Sequence, residues 1–452
     1  MENKGYSTIP VILFESITFL AKALPIRSIP TFIELLIGAM LTQSGFVTEA
    51  WLAVDCLRSW SGYYKWLQQG KWSWVALGVQ LARLVVTRFP QSAWYLIFDD
   101  TLIYRSSGKA PGSGIYHQHG RKPNRPQYAN GQNWVTMALS ISGKGRVAAI
   151  PLLSRLMRYK GNRGKLQAVK TLLRVIAPVF AYREKPYCLL DSWFMKWPLL
   201  SYMLEHGFHA IGQVRRDTAL YGIPIPTGKR GRPRKYGDKF TPEVVAALPV
   251  YRKKLHLYGR EQWVYFRTAA CKAKFLRGHV VRAVWVQFEH EDGSLSRQRL
   301  ILSTQPTLSA EEILCSYARR WSIEPLFNQM KNHWGWKESW QQSRQVLHRW
   351  TQILSIGYAL TELLATCCHD QVQHLIDLTP WRPKTQRTAG RIRQGLKIIL
   401  GNVRVRDWWN PTCRIFRPPE ASISEPDSGN YPEMMEYPMS KNKNVEQNSP
   451  PL

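Results

Sequence analysis

The feature that narrows the architecture most is an ordered series of apolar runs beginning at Trp94. WYLIFDDTLIY (94–104) is apolar through Phe98 and then meets paired acids; NWVTMALSI (133–141) and RVAAIPLL (146–153) follow, with Gly143 and Gly145 marking a turn between them. Leu166, Val169, Leu173, Ile176 and Phe180 recur at spacings of three and four, which predicts an amphipathic helix. PYCLLD (186–191) reads as a buried strand, a helix runs through Leu204, and FHAIGQV (208–214) reads as a strand again. The order β-β-β-α-β-α-β predicts an α/β fold with a mixed sheet flanked by helices.

The flanking segments have other textures. Residues 1–90 read as a helical region with a possible role in binding DNA ends: Phe32, Leu36, Ala39 and Met40 share one face, Gln43-Ser44-Gly45 is a turn, and Thr48 is placed to cap a second helix running to Trp60. Two helices about a tight turn have the look of a helix-turn-helix, and plain helix packing shares that look. Residues 222–239 are rich in Gly, Pro, Lys and Arg, and Val250 to Thr304 carries strands with hairpin signals at Tyr258-Gly259 and Asp292-Gly293. Residues 216–304 therefore read as a β-rich insertion with a basic loop, dividing a core made of 91–215 and 305–345. Ser309 and Glu312 form a capping box that opens a helix, and 346–412 reads as a helical C-terminal region. Residues 413–452, rich in proline and acidic residues, read as a disordered tail.

Charge points to a partner. Among 452 residues, 62 Lys and Arg stand against 31 Asp and Glu, a formal net charge of +31, and nucleic acid is the partner that such an excess suits best. A solvated basic surface is the plain alternative. The apolar runs Ile9 to Ile26 and Phe32 to Leu41 are interrupted by Glu15, Lys22 and Glu34, and fall short of the roughly 20 clean residues a bilayer span needs. No charged stretch precedes the first run, so no signal peptide is expected. Seven cysteines show no C-x-x-C pair, which supports neither a zinc site nor a disulfide framework and suits reduced thiols in a cytoplasm.

The chemistry lies in the acids. Asp99, Asp100 and Asp191 sit at the C-terminal ends of apolar strands, where side chains must leave the core. A third acidic block is YARRWSIEPLFNQMK (317–331). At about 100° per residue, Tyr317, Arg320, Glu324 and Lys331 fall within a band of about 60° on a continuous helix. An ordinary solvated face is the alternative reading of that stripe. Pro325 directly after Glu324 predicts a kink or a helix start there. Crowded carboxylates repel unless they share a cation, and hard Mg²⁺ prefers oxygen ligands. Two such ions about 4 Å apart can activate an attacking oxygen and stabilise a leaving one in phosphodiester displacement, with the neighbouring Arg and Lys holding phosphates. Successive strand residues face opposite ways, so only one of Asp99 and Asp100 can face the metals; alternation does not choose, because Trp94 to Phe98 is apolar on both faces.

Tyr317-x2-Arg320-x3-Glu324-x6-Lys331 resembles the Tyr-Arg-Glu-Lys signature of DDE transposases of the cut-and-paste bacterial insertion-sequence type, and IFDDT, LLDSWF and YARRWSIE are similar to that family's three acidic blocks. The resemblance covers about residues 90–345 and agrees with the β-β-β-α-β-α-β order, which is the ribonuclease-H-like topology. It implies a ribonuclease-H-like catalytic core with Asp100, Asp191 and Glu324 as the catalytic residues that bind Mg²⁺, with Mn²⁺ as a substitute and two ions in the site. In the family block the metal-binding Asp stands immediately before Thr, here Thr101, which selects Asp100; Asp99 is the alternative, otherwise an acid that tunes the site without binding metal. Tyr317, Arg320 and Lys331 are implied to grip the transposon end, and some members pass through a DNA hairpin. The implied partners are double-stranded DNA, as transposon ends and target, and a second copy of the chain in a homodimeric end complex, with no membrane, in the bacterial cytoplasm on the nucleoid. The same residues also suit a ribonuclease-H-like nuclease acting on other nucleic acid, or a transposase-derived DNA-binding protein that has lost catalysis.

Other basic elements fit the same partner. Arg230-Gly231-Arg232-Pro233 resembles an AT-hook core, with a flexible phosphate-touching loop as the alternative. HGRKPNRPQY (119–128), with Arg121 and Lys122, is a second basic loop suited to clamping DNA. Trp193 and Trp321, beside the second and third acidic blocks, read as core residues, with a platform for a flipped base as the alternative.

Overall fold

A computed structural model describes residues 8–117, 126–157, 162–226, 232–383 and 386–418. Arg121, Lys122, Arg230 and the acidic tail from residue 419 lie outside the described residues.

The chain opens with helices α1 (Val11–Ala21), α2 (Ile29–Leu41), α3 (Val47–Leu52), α4 (Trp60–Gln69) and α5 (Trp74–Arg88). In α2 every residue except Pro30 is buried. The helix expected from Thr48 to Trp60 is instead the six-residue α3, with Phe46 at its N-cap, followed by a loop. The reason is tertiary: the Ala53 carbonyl accepts the Asn402 N–H and the Asp55 N–H donates to Val403, so these groups bond across the fold. A fully buried first helix and a second one this short leave no face to enter a DNA groove, and the helix-turn-helix look is plain packing.

The sheet follows the predicted order. It contains β1 (Tyr95–Tyr104), β2 (Ser113–His117), β3 (Tyr128–Gly143), β4 (Arg146–Leu156), β5 (Tyr187–Leu190) and β6 (Ala210–Val214), with α6 (Asn162–Ile176) before β5 and α7 (Trp197–Glu205) before β6. β3 runs antiparallel to β1 and to β4, while β5 is parallel to β1 and β6 parallel to β5. The spatial order β4-β3-β1-β5-β6 is the ribonuclease-H-like arrangement. β1 is central because Leu96, Ile97 and Phe98 are buried on both faces. The β3–β4 register slips between Met137 and Ala138, opposite Pro151, a residue with no N–H to give to a ladder. Lys144 and Gly145 take positive φ in the tight turn that the glycines announced. Strand β2, which pairs with the first part of β3, had no signal in the sequence pattern.

The β-rich insertion extends this sheet and forms none of its own. β7 (Leu220–Tyr221), α8 (Pro242–Ala246), β8 (Tyr251–Leu257), β9 (Arg260–Ala273), β10 (Val280–Phe288) and β11 (Arg299–Ser303) follow in the chain. β11 pairs antiparallel with β6, β10 with β11, and β9 with β10, so that eleven strands among the described residues make one sheet.

The chain closes with α9 (Ala310–Arg319), α10 (Ile323–Asn332), α11 (Arg344–Cys367), α12 (Gln373–Asp377), α13 (Ala389–Leu400) and a ribbon of β12 (Trp409–Asn410) and β13 (Ile415–Phe416). Both halves of the Ser309/Glu312 capping box are formed at α9. Helix α11, buried along nearly its whole length, lies against β4 and is wrapped by α2, α4, α5 and α13. Arg349 on α11 donates to the carbonyls of Leu67, Gly70 and Trp72, which pins the α4–α5 turn. The predicted turn at Gly45 touches Gly335 after α10: a Cβ on Gly45 would lie 1.8 Å from the Gly335 carbonyl oxygen, and the Gly45 N–H donates to Glu338 at 3.0 Å. Among the described residues no helix is long and apolar enough to cross a membrane.

Candidate active site

The acids gather where β1 and β5 lie side by side. Phe98 stands opposite Leu190 in the parallel register, so the residues that follow, Asp99 and Asp191, occupy the same level on neighbouring chain segments. Asp191 closes a turn, its Oδ1 accepting the backbone N–H groups of Trp193 and Phe194, both at 3.0 Å. Burial raises the Asp191 pKa and the Asp100 charge adds to the rise, against those two N–H groups and Arg320.

Alternation along β1 sends its two acids to different partners. Asp99 accepts from Arg320 Nη1 at 3.0 Å, and both side chains are only 13% exposed. Burial pushes the Asp99 pKa up to about 7; Arg320 opposes this, and the charges of Asp191 and Glu324 add to it. Asp100 instead accepts at Oδ2 from Asn133 Nδ2 and from the Lys165 ammonium on α6, each at 2.7 Å. The bare β1 pattern left the pair unresolved; the structure gives Asp99 to the α9–α10 junction and Asp100 to α6.

The stripe expected around Glu324 is interrupted. Helix α9 ends at Arg319, Arg320–Ser322 tighten into a 3-10 turn, and α10 starts at Ile323, so Pro325 stands in its first turn, where a missing N–H costs no helical bond. Tyr317 is buried, and burial pushes its hydroxyl up to about 12 while Arg320 opposes the rise. Arg320 Nη2 lies 3.8 Å from Glu324 Oε1, and Glu324 itself is 46% exposed. Burial works against the Arg320 charge, but Tyr317, Asp99, Glu324 and Asp191 outweigh it and its pKa is raised. One guanidinium thus joins the third acidic block to the first two, and Tyr317 and Arg320 turn inward to the acids. Lys331, in the last turn of α10, is half-buried.

Several neighbours complete the site. Tyr258, at φ 56° in the β8–β9 turn, meets Trp321 edge-on at 6.5 Å, which brings the tip of the insertion to the acids. Trp321 is 54% exposed and so is not a core residue. Trp193 is partly buried and carries two ammonium groups on its ring, Lys165 at 4.9 Å and Lys196 at 3.7 Å from the centroid. Leu190 pairs with Gly212 on β6, which puts Gln213 beside Asp191. A groove of about 610 Å³ opens there, lined by Arg215, Arg216, Arg297 and Arg299, with Asp217 held by Arg215 at 2.9 and 2.6 Å. Arg232 is exposed on the insertion.

Among the described residues no three His, Cys, Asp or Glu side chains are gathered closely enough to hold a metal ion. In kind, the donors fit a hard divalent ion: carboxylates on β1, after β5 and on α10, and the buried Oδ1 of Asn133, which accepts no hydrogen bond beside Asp100. The cations that stand among them are Arg320 and Lys165. Lys165, Asn133, Tyr258 and the arginine groove escaped the sequence reading. The one available signal was at Lys165, a cation in the first turn of an amphipathic helix, where the helix dipole disfavours it.

Residues 35–267 match the sequence family described as DDE superfamily endonuclease. The match runs from α2 into β9, so it includes Asp99, Asp100 and Asp191 and stops short of Glu324. No curated protein matches the chain. Among solved structures it is similar to a piggyBac transposase in a cryo-EM synaptic complex with hairpin DNA, at 13% identity and a TM-score of 0.34, over 72% of this chain and 55% of that one. The chain thus spans about half the length of that transposase.

Proposed function

Because the chain belongs to the DDE superfamily of endonucleases, we propose that it is a DNA transposase of the cut-and-paste insertion-sequence type, cleaving transposon ends and joining them to target DNA. The observation that carries this reading is Arg320: a nearly buried guanidinium, 3.0 Å from Asp99 and 3.8 Å from Glu324, whose charge is further favoured by Asp191. It draws residues from both sides of the insertion into one acidic centre.

Superfamily members use divalent metal ions. In this chain Asp100, Asp191 and Glu324 would hold them, Mg²⁺ or Mn²⁺ and two in number, with Asn133 Oδ1 as a further oxygen donor. When bound, such ions supply activation of the attacking oxygen and stabilisation of the leaving one. The chain's own residues do the rest. Asp99 fixes the Arg320 guanidinium, the turn at Trp193 and Phe194 fixes the Asp191 carboxylate, and the Tyr317 hydroxyl is held beside Arg320. Lys331 and the arginines of the groove beside Asp191 supply phosphate contacts for the duplex. The groove begins at Gln213, one strand and about 5 Å in the sheet from Asp191, and its arginines lie beyond it on the same side, placed for phosphates of a duplex that reaches the acids. Arg232, together with Arg230, Arg121 and Lys122, extends the basic surface. Paired-end chemistry calls for a homodimer, acting on the bacterial nucleoid.

The test is strand cleavage of a duplex carrying the terminal repeats that flank the gene, with Mg²⁺, by wild type, Asp191→Asn and Glu324→Gln. Wild type should cut, and both variants should lose chemistry while keeping DNA binding. A variant that cuts at the normal rate would remove its residue from the centre.

A further inference from the structure

Two cations among the described residues, Arg320 and Lys165, are ion-paired with carboxylates of the site. Arg320 belongs to Asp99 and Glu324. Lys165 belongs to Asp100: its Nζ lies 2.7 Å from Oδ2, with the two side chains 21% and 20% exposed. The same ammonium lies over the Trp193 ring, two residues past Asp191. It therefore touches both the first acidic block, at Asp100, and the turn that follows Asp191 in the second.

Lys165 is not there for the sake of its helix. The first turn of α6 holds no acid, so the ammonium stands at the positive end of the helix dipole. Ordering a lysine side chain also costs rotamer freedom. The pair with Asp100 and the aromatic face of Trp193 offset both. Asp100 Oδ2 takes both Lys165 and Asn133, so a cation drawn to that oxygen competes with the ammonium.

We propose that Lys165 is the resident counter-ion of Asp100, with which a divalent ion competes and whose released ammonium then turns to a phosphate of bound DNA. The proposal rests on the metal-dependent function above and adds a coupling to it. A phosphate that captures the ammonium exposes Asp100, so DNA strengthens divalent binding and the divalent ion strengthens DNA binding by the same factor. Lys165 is in this sense a positioning residue that acts through Asp100.

Calorimetric titration of the full-length protein with Mn²⁺ alone, without DNA, tests this apart from activity. Lys165→Met should bind Mn²⁺ about tenfold more tightly than wild type, which corresponds to about 1.4 kcal/mol. Lys165→Gln should move the same way, so the result does not hang on the folding of one variant. Lys196→Met removes an equal charge from the same Trp193 ring without touching Asp100, and should leave the affinity within about twofold. Adding duplex DNA should tighten Mn²⁺ binding in wild type and have little effect in Lys165→Met. Unchanged or weaker binding in both Lys165 variants, or equal tightening in Lys196→Met, would overturn the proposal and leave the metal-dependent function standing. If neither wild type nor the Lys165 variants bind Mn²⁺, the metal reading falls and this one with it.

Discussion

Replacing His348 with glutamine should flatten the acid side of the stability curve. The imidazole, 7% exposed on α11, stacks on Trp74 with centroids 4.7 Å apart and meets the edge of Trp134 at 5.4 Å. The Leu156 N–H donates to Nε2 at 3.1 Å and Nδ1 lies 2.9 Å from the Arg344 carbonyl oxygen, so the proton sits on Nδ1 and both nitrogens are satisfied in the neutral ring. A second proton would place an N–H against the Leu156 donor. Burial above all, with the Arg344 and Arg155 charges, lowers the pKa from 6.5 to about 4. Because the folded value is the lower one, the unfolded chain takes up the proton first. The contribution is whole above 6.5 and is lost as pH falls toward 4. Linkage puts the loss, relative to pH 7.5, at about 2 kcal/mol by pH 5 and about 3 kcal/mol by pH 4. Urea unfolding of wild type and His348→Gln at several pH values measures it. The advantage of wild type over the variant should shrink by about 2 kcal/mol between pH 7.5 and 5. A difference constant within about 0.5 kcal/mol would refute the buried neutral ring.

Three further outcomes are expected. Asp100→Asn should lose cleavage by orders of magnitude while Asp99→Asn keeps measurable turnover in the same strand-cleavage assay; the reverse ranking would make Asp99 the ligand. Arg320→Ala strips the buried Asp99 of its partner, so chemical denaturation at pH 8 should show a loss of about 3 kcal/mol, and the loss should fall by more than half in an Asp99→Asn background. Equal losses in both backgrounds would mean that the two groups are uncoupled. Gly335→Ala combines a φ of +65° with a Cβ only 1.8 Å from the Gly45 nitrogen, and should lower stability by at least about 2 kcal/mol. An unchanged melting temperature would show that the two turns have room to part.

Much of the scaffold was legible because it is set by near neighbours in the chain. The glycine turn between β3 and β4, the Ser309/Glu312 capping box and the helix start around Pro325 each depend on a few adjacent residues, and each forms where the sequence placed it. The expected Thr48–Trp60 helix failed for the opposite reason, since the Ala53 carbonyl and Asp55 N–H are bound by Asn402 and Val403. The insertion read correctly as strands, but that those strands continue the core sheet depends on β11 meeting β6, which no local pattern announces.

The site divides along the same line. By itself the sequence determined that Asp191 follows a buried strand, that a third acid lies among cations, and that the chain is strongly basic, because strand periodicity, helix period and charge are properties of consecutive residues; the expectation that Asp99 and Asp100 end a strand was wrong, since β1 runs on through them to Tyr104. Tertiary structure alone decided which acid meets which cation. Asp99 and Arg320 are 221 residues apart, and Asp100 and Lys165 are 65 apart, so each contact exists only once the sheet is closed and the helices are laid on it. In a strand buried on both faces, Asp99 and Asp100 are equivalent by pattern; they become different only through the helices that approach from opposite sides.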